Sequence, residues 1–163
     1  MNQFMTEIQA VDWHVFEDAP KTLIALALAN QESTENIYQI EGINVDLLLN
    51  ARITSDVLFA IGNNHRGTYY PISRKALPFI VQIALYGNHV VARNCAINIL
   101  IDLFYFCPDV FYKEDDELEC FIKETIRTAI TDNREAFTQF ELDDKRNKSL
   151  VEGLMAIVDE DEG

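Results

Sequence analysis

Hydrophobic residues along this chain recur at three- and four-residue steps broken by short polar punctuation, the spacing of packed α-helices. The clearest stretch, Ala76 to Leu103, reads ALPFIVQIALYGNHVVARNCAINILIDL. Tyr86-Gly87-Asn88-His89 divides it into two apolar runs; Gly87 is suited to the positive φ of a helix end, and Asn88 to capping the next helix. From Arg74 to Tyr86 only Gln82 interrupts the apolar residues after Pro78, and from His89 to Phe106 the breaks are Asn94, Asn98 and Asp102. Such density predicts neighbours on more than one side of both helices. The three polar residues stand four apart and align as one stripe, for which a solvated groove edge is a simpler reading than a binding role. Pro78, several residues into its helix, removes a backbone hydrogen bond and predicts a bend.

The flanks follow the same period less cleanly. Residues 1–17 form an N-terminal arm in which Trp13, Val15 and Phe16 read as either a short strand or a packing segment. Asp18 followed by Pro20 marks a helix start, with a helix from about Ala19 to Asn30 and core contacts at Leu23, Ile24, Leu26, Ala27 and Leu28. Gln31 to Thr34 reads as a connection, Thr34 to Glu41 as a short helix ended by Gly42, and Asp46 to Ile61 as one helix or two collinear ones. Gly62 to Pro71, GNNHRGTYYP, is too rich in turn residues for a regular element and projects His65, Arg66, Tyr69 and Tyr70. Stapling the loop to the next helix accounts for one of these tyrosines but not plainly for both.

Beyond the central stretch, Cys107-Pro108-Asp109 ends the second helix and Val110 to Tyr112 crosses to the next element. Glu114 to Glu117 precede a helix to about Thr131, with Leu118, Phe121, Ile122, Ile126, Ala129 and Ile130 on its apolar face. Carboxylates complement the positive end of a helix dipole, but four in a row exceed what one end needs. They are either a solvated helix start or an acidic recognition patch. A short helical face (Ala136, Phe137, Phe140, Leu142), a charged hinge at residues 143–148 and a last helix over Leu150 to Val158 follow, the last placed to close the stack. The acidic residues 159–163 are expected to fray.

Composition makes this a single helical domain over residues 1–163, with 48% hydrophobic residues, six glycines and four prolines. No uncharged apolar run is long enough to span a bilayer, and MNQFMTEIQA does not read as a secretion signal. Cys95, Cys107 and Cys120 have neither metal-ligand nor framework spacing, which points to a reducing, cytoplasmic setting. Net charge is −14, with seven basic and eleven acidic residues up to Lys113 but six and sixteen beyond it. That field argues against nucleic acid and anionic membrane as partners and draws basic proteins; its plainer role is solubility.

Catalytic signatures are not found in the sequence. His14, His65 and His89 belong to no HExxH or Cys/His set, the glycines form no phosphate loop, and no G-x-S-x-G turn occurs. No cofactor or metal is therefore expected, and a folded pair such as His65 with Cys107 is the remaining enzyme-like possibility. Basic residues pair only at Arg74-Lys75 and Lys145-Arg146, too few for a nucleic-acid face.

Leu77-Pro78-Phe79-Ile80, the Gly87-Asn88 turn, and Ala92-Arg93 followed by Ala96 and Leu100 resemble one HEAT-type repeat. The resemblance implies an all-α fold, a short α-solenoid of HEAT-like helical hairpins. Thr68-Tyr69-Tyr70-Pro71, Ala76-Leu77-Pro78-Phe79 and Leu100-Ile101-Asp102-Leu103 are also similar to HEAT-like immunity proteins of bacterial polymorphic toxin systems, contact-dependent growth inhibition among them; the similarity covers about residues 63–107. It implies a cytoplasmic inhibitor, monomeric alone, that forms a heterodimer with a cognate toxin domain. A basic nuclease whose cleft the acidic chain covers is the expected partner. Exposure and charge, rather than any family position, select Arg66, Tyr69, Tyr70, Asp115, Asp116, Glu117 and Glu119 as contact candidates. The alternatives are a HEAT-like adaptor without inhibitory role and, more distantly, a helical-repeat enzyme.

Overall fold

The computed structural model describes residues 2–30, 45–112, 117–143 and 147–159, which are mostly helical. Their helices are α1 (Asn2–Ala10), α2 (Asp18–Leu28), α3 (Val45–Ile61), α4 (Ser73–Tyr86), α5 (Val90–Tyr105), α6 (Leu118–Asp132), α7 (Arg134–Asp143) and α8 (Lys148–Asp159). Three two-residue strands, β1 (Gly62–Asn63), β2 (Thr68–Tyr69) and β3 (Cys107–Pro108), form a small sheet with β2 in the middle, antiparallel to β1 and parallel to β3. The helix expected over Thr34 to Glu41 and its connections lie outside the described residues.

The fold is all-α in class, and α5 is its centre. Val91, Ala92, Cys95, Ala96, Ile97, Ile99, Leu100, Leu103 and Phe104 are buried around most of its circumference. A helix apolar on so many sides must be covered on each, and α2, α3, α4, α6 and α8 all rest on it. The outer helices are one-sided by contrast. In α6, Leu118, Ile122, Ile126 and Ile130 recur every four residues and are fully buried, and in α8 Val151, Leu154 and Ile157 do so every three. The last helix packs on α5, α6 and α7, not merely on the end of a stack.

Several local expectations change. Residues 45–61 form one continuous helix. The N-terminal arm begins with a helix, α1, which the sparse pattern of Phe4 and Ile8 did not announce; so short a helix is marginal alone and gains its order by docking. The Trp13 indole N–H donates to the Ile8 carbonyl at 2.8 Å, both Phe4 and Trp13 pack on Phe79 of α4, and Lys75 Nζ donates to the Asp12 carbonyl at 2.6 Å. Val15, by contrast, is 85% exposed. Asp18 lies inside the first turn of α2, bound to Lys21, and does not cap it. Gly87 ends α4 at φ −56°, so its role is close approach instead of a left-handed turn: a Cβ there would sit 2.6 Å from the Ile83 carbonyl oxygen. The residue before α5 is His89, without a side-chain cap, and Asn88 is not used. Leu28 and Leu142, expected in the core, are exposed.

The polar stripe on α5 is only partly open to solvent. Asn94, Asn98 and Asp102 are half-buried, and Asn94 Oδ1 has no partner among the described residues. Burial holds the Asp102 carboxyl above the usual carboxylate range. A raised folded-state pKa means that the unfolded chain ionises first, so stability falls as pH rises from the ordinary value of 3.8 through the raised one. Asp102→Asn should therefore melt higher than the parent at pH 7, with the gain vanishing below about pH 3. Melting curves at the two pH values test this, and an equal shift at both would refute it.

Candidate partner-binding surface

The turn-rich segment after α3 and the segment after α5 are built into one ledge by the small sheet. Gly62 pairs with Tyr69 so closely that a Cβ on Gly62 would stand 2.3 Å from the Thr68 carbonyl oxygen, which excludes any larger residue there. Asn63 Oδ1 accepts from the Arg66 amide at 3.3 Å and Asn64 Nδ2 donates to Ser55 Oγ at 3.1 Å, pinning the 3₁₀ turn Asn64–Arg66 onto α3. Gly67 closes the turn in the left-handed region at φ 62°, a conformation costly for other residues. Regular pairing within a stretch so rich in glycine and asparagine was not anticipated. The residues that break helices are here the ones that allow a two-residue hairpin with a short helical tip.

Asp109 joins this hairpin to the chain leaving α5. Its amide donates to the Tyr69 carbonyl at 2.9 Å; its carboxylate accepts from the Phe111 amide at 3.1 Å and from Thr68 Oγ1 at 2.8 Å. These hydrogen bonds, led by the one from Phe111 and aided by the Arg66 charge, hold its carboxyl below the usual range. The 3₁₀ turn Val110–Tyr112 that follows is thereby fixed in place, and ring contacts carry the connection across the surface: Tyr112 lies 5.1 Å from Tyr70, which lies 5.7 Å from Phe16 of the N-terminal arm.

The selected contact candidates separate into four groups. Arg66 is exposed, Tyr70 half-buried and Glu117 exposed, so each presents surface on or next to the ledge. Glu119 is half-buried in the first turn of α6, where it pairs with Lys123 at 2.6 Å. Tyr69 is a correction: it is fully buried, its side chain belonging to the hydrophobic core beneath the small sheet. Burial first, then the nearby Glu119 charge, raises its hydroxyl pKa, and the hydroxyl has no partner among the described residues. Asp115 and Asp116 lie outside the described residues.

Other chemistry is dispersed. His65 packs edge-on against Phe59 at 4.8 Å between centroids, while the Cys107 thiol faces the Gly67 carbonyl at 3.9 Å. Cys95 is buried, which pushes its thiol up to about 12 and leaves it inert at neutral pH. Among the described residues no group of three or more His, Cys, Asp or Glu is placed to hold a metal. The apolar edge of the ledge is formed by residues not among the candidates: Phe111 is 81% exposed and Val110 57%. Its signal in the sequence is three consecutive large apolar residues, Val110 to Tyr112, between a Pro-Asp break and a charged run, a pattern that also suits a crossing to the next element. Comparison with protein-family models, curated proteins and solved structures finds no match.

Two outcomes follow from this geometry. A depressed folded-state pKa makes the Asp109 contribution present above the ordinary carboxylate value of 3.8 and lost as pH falls through the lowered one. Asp109→Asn should accordingly lower the melting temperature at pH 7 and leave less acid-induced destabilisation than in the parent, read from melts from about pH 2 to about pH 7, the range in which carboxylates titrate. Tyr69→Phe removes a buried hydroxyl without a partner, so chemical denaturation should show stability unchanged or raised by about 1 kcal/mol. A loss of that size would mean that the hydroxyl is satisfied.

Proposed function

We propose that this chain is an immunity protein that binds a cognate toxin domain and neutralises it by covering its basic substrate cleft, with HEAT-like helical hairpins as the rigid carrier. The observation that supports it most is the strong negative charge of the chain together with how its cations are engaged. Arg93 donates to the Ala84 carbonyl at 2.9 Å and lies over the Phe140 ring; Arg74 lies over Phe121 and Arg127 over Phe104; Lys21, Lys123, Arg134 and Lys148 are each paired with a carboxylate. Carboxylates Glu117, Glu124, Asp132 and Glu135 meanwhile stand exposed on the side of the molecule that begins at α6. Three arginines are engaged by aromatic rings and four further cations by carboxylates, most of the latter at the surface, while the chain as a whole carries a net charge of −14. Such a surface attracts a cationic cleft and competes with phosphates for it.

The hairpin formed by α4 and α5 across Gly87, whose residues carry the HEAT-like resemblance, supports the choice of carrier. The decisive experiment is co-expression with a toxin domain encoded beside this chain. The expected outcome is survival of the cells and a purified complex whose association slows as salt is raised, because exposed charges are screened within about 10 Å at 0.1 M salt. A complex in which the toxin stays active would make the chain an adaptor. Death of the cells with no complex formed would remove the reading for that pair, and association indifferent to salt would remove the electrostatic mechanism alone.

A further inference from the structure

We propose that the one open strip of α5 binds a polypeptide segment of a partner, which lays its main chain on the amides of Asn94 and Asn98 and an arginine on the Asp102 carboxylate beside Tyr105. Arg93, near the start of the helix, is engaged by the Ala84 carbonyl and the Phe140 ring. From Asn94 to Tyr105 every residue is buried except Asn94, Asn98, Ile101, Asp102 and Tyr105. These stand at three- and four-residue steps, so they share one line along the helix. The enclosed hub therefore has a single window over this length. Tyr105, 59% exposed, is its most open member, and Ile101 lies against α8, where a Cβ on Gly153 would stand 3.6 Å from Ile101 Cδ1.

The polar members of the window are left unsatisfied by the fold. Asn94 Oδ1 is closed off from solvent without a partner, and the side chains of Asn98 and Asp102 make no hydrogen bond or ion pair among the described residues. Burial alone shifts the Asp102 carboxyl, with no cation of the fold acting against it. The buried Asp109 is the contrast, since its carboxylate accepts two hydrogen bonds. A partly desolvated carboxylate and an enclosed amide oxygen without partners cost stability. A donor brought from outside would remove that cost.

Spacing and charge select the occupant. Residues four apart on a helix are separated by about 6 Å along its axis, so Asn94, Asn98 and Asp102 span about 12 Å and cannot converge on one metal ion. Alternate residues of an extended chain repeat at about 6.6 Å, close to that step. A carboxamide carries both donors and an acceptor, the complement of a backbone peptide group, while the single carboxylate takes one cation. A linear polyamine would bring several charges to that one carboxylate and no acceptor for the asparagine N–H groups. Arginine suits the Asp102 end, because its planar fork pairs with both carboxylate oxygens and lies on an aromatic ring. A basic partner is also what a chain of net charge −14 attracts.

The inference rests on reading the chain as a binder of basic proteins, though not on the partner being a toxin. Its test is an NMR titration of the whole chain with an acetylated tripeptide amide, glycine-arginine-glycine, and with the same peptide carrying neutral citrulline in place of arginine. The arginine peptide should move the side-chain amide signals of Asn94 and Asn98 and the carboxyl signal of Asp102 saturably, and the citrulline peptide should bind about tenfold more weakly. D102N should bring the arginine peptide down to the citrulline level, whereas E17Q, which neutralises an exposed carboxylate before α2, should leave its binding unchanged. The map of moving signals in the parent needs no variant, so the test holds even if D102N fails to fold. Signals moving only at the exposed carboxylates of α6 would overturn the site while the acidic reading stands. No movement anywhere would overturn the site and count against the acidic reading as well. Spermidine moving the window signals more strongly than the arginine peptide would overturn a polypeptide as the occupant.

Discussion

Burial of α5 from nearly every side is the constraint on which the molecule depends. Each large aliphatic or aromatic side chain removed from water contributes about 1.5–3 kcal/mol before cavity and entropy terms, and α5 carries such residues on most of its surface. No single neighbour could cover them. Five helices do, from both ends of the chain, and this is why segments as distant as α2 and α8 meet at one element. The polar residues of α5 are fitted around that demand. Arg93 is half-buried, and burial draws its pKa down while Asp143 opposes the shift; its Nε–H donates to the Ala84 carbonyl and its guanidinium lies 3.8 Å from the Phe140 ring centroid, so that one side chain ties α4 and α7 to the hub.

The ledge inherits its rigidity from the same helix. When α5 ends at Tyr105, the chain turns extended at Phe106 and at once enters β3, so the residues that follow are positioned by the core rather than by their own sequence. Asp109 then does what a longer sheet would otherwise do. A buried carboxylate that accepts hydrogen bonds from a backbone amide and a hydroxyl joins two surface segments that lie 41 residues apart in the chain. Hydrogen bonds to an ionised group are stronger than neutral ones, which is how so small a sheet is kept in register. The exposed apolar edge accompanies it: Val110 and Phe111 stand largely in solvent on a turn fixed by Asp109.

Legibility followed the period of the pattern. Leu118, Ile122, Ile126 and Ile130 were readable as a buried stripe because one-sided burial leaves a four-residue spacing in the sequence, and the boundaries of α2, α4 and α5 fell close to their punctuation. Short elements were less readable. α1 has only two apolar positions facing the core, and the strands are two residues each, too brief for alternation to show. Of the candidate contacts, the surface placement of Arg66, Tyr70 and Glu117 was legible because charge and a turn-rich context keep residues at the surface; Tyr69 was not, because two adjacent tyrosines look alike until the sheet decides which faces inward.

The amino-acid sequence by itself determined that the chain is helical, that its central helix would be enclosed, and that its charge would be strongly negative. These depend on residue type and spacing, which are local or additive. Only the tertiary structure decided what surrounds α5, that Asp109 would bind Thr68, that Tyr69 would be buried beside a half-exposed Tyr70, and that Val110 and Phe111 would be left uncovered. Those outcomes depend on which distant segments meet, and the burial or exposure of a side chain is set by its neighbours in space.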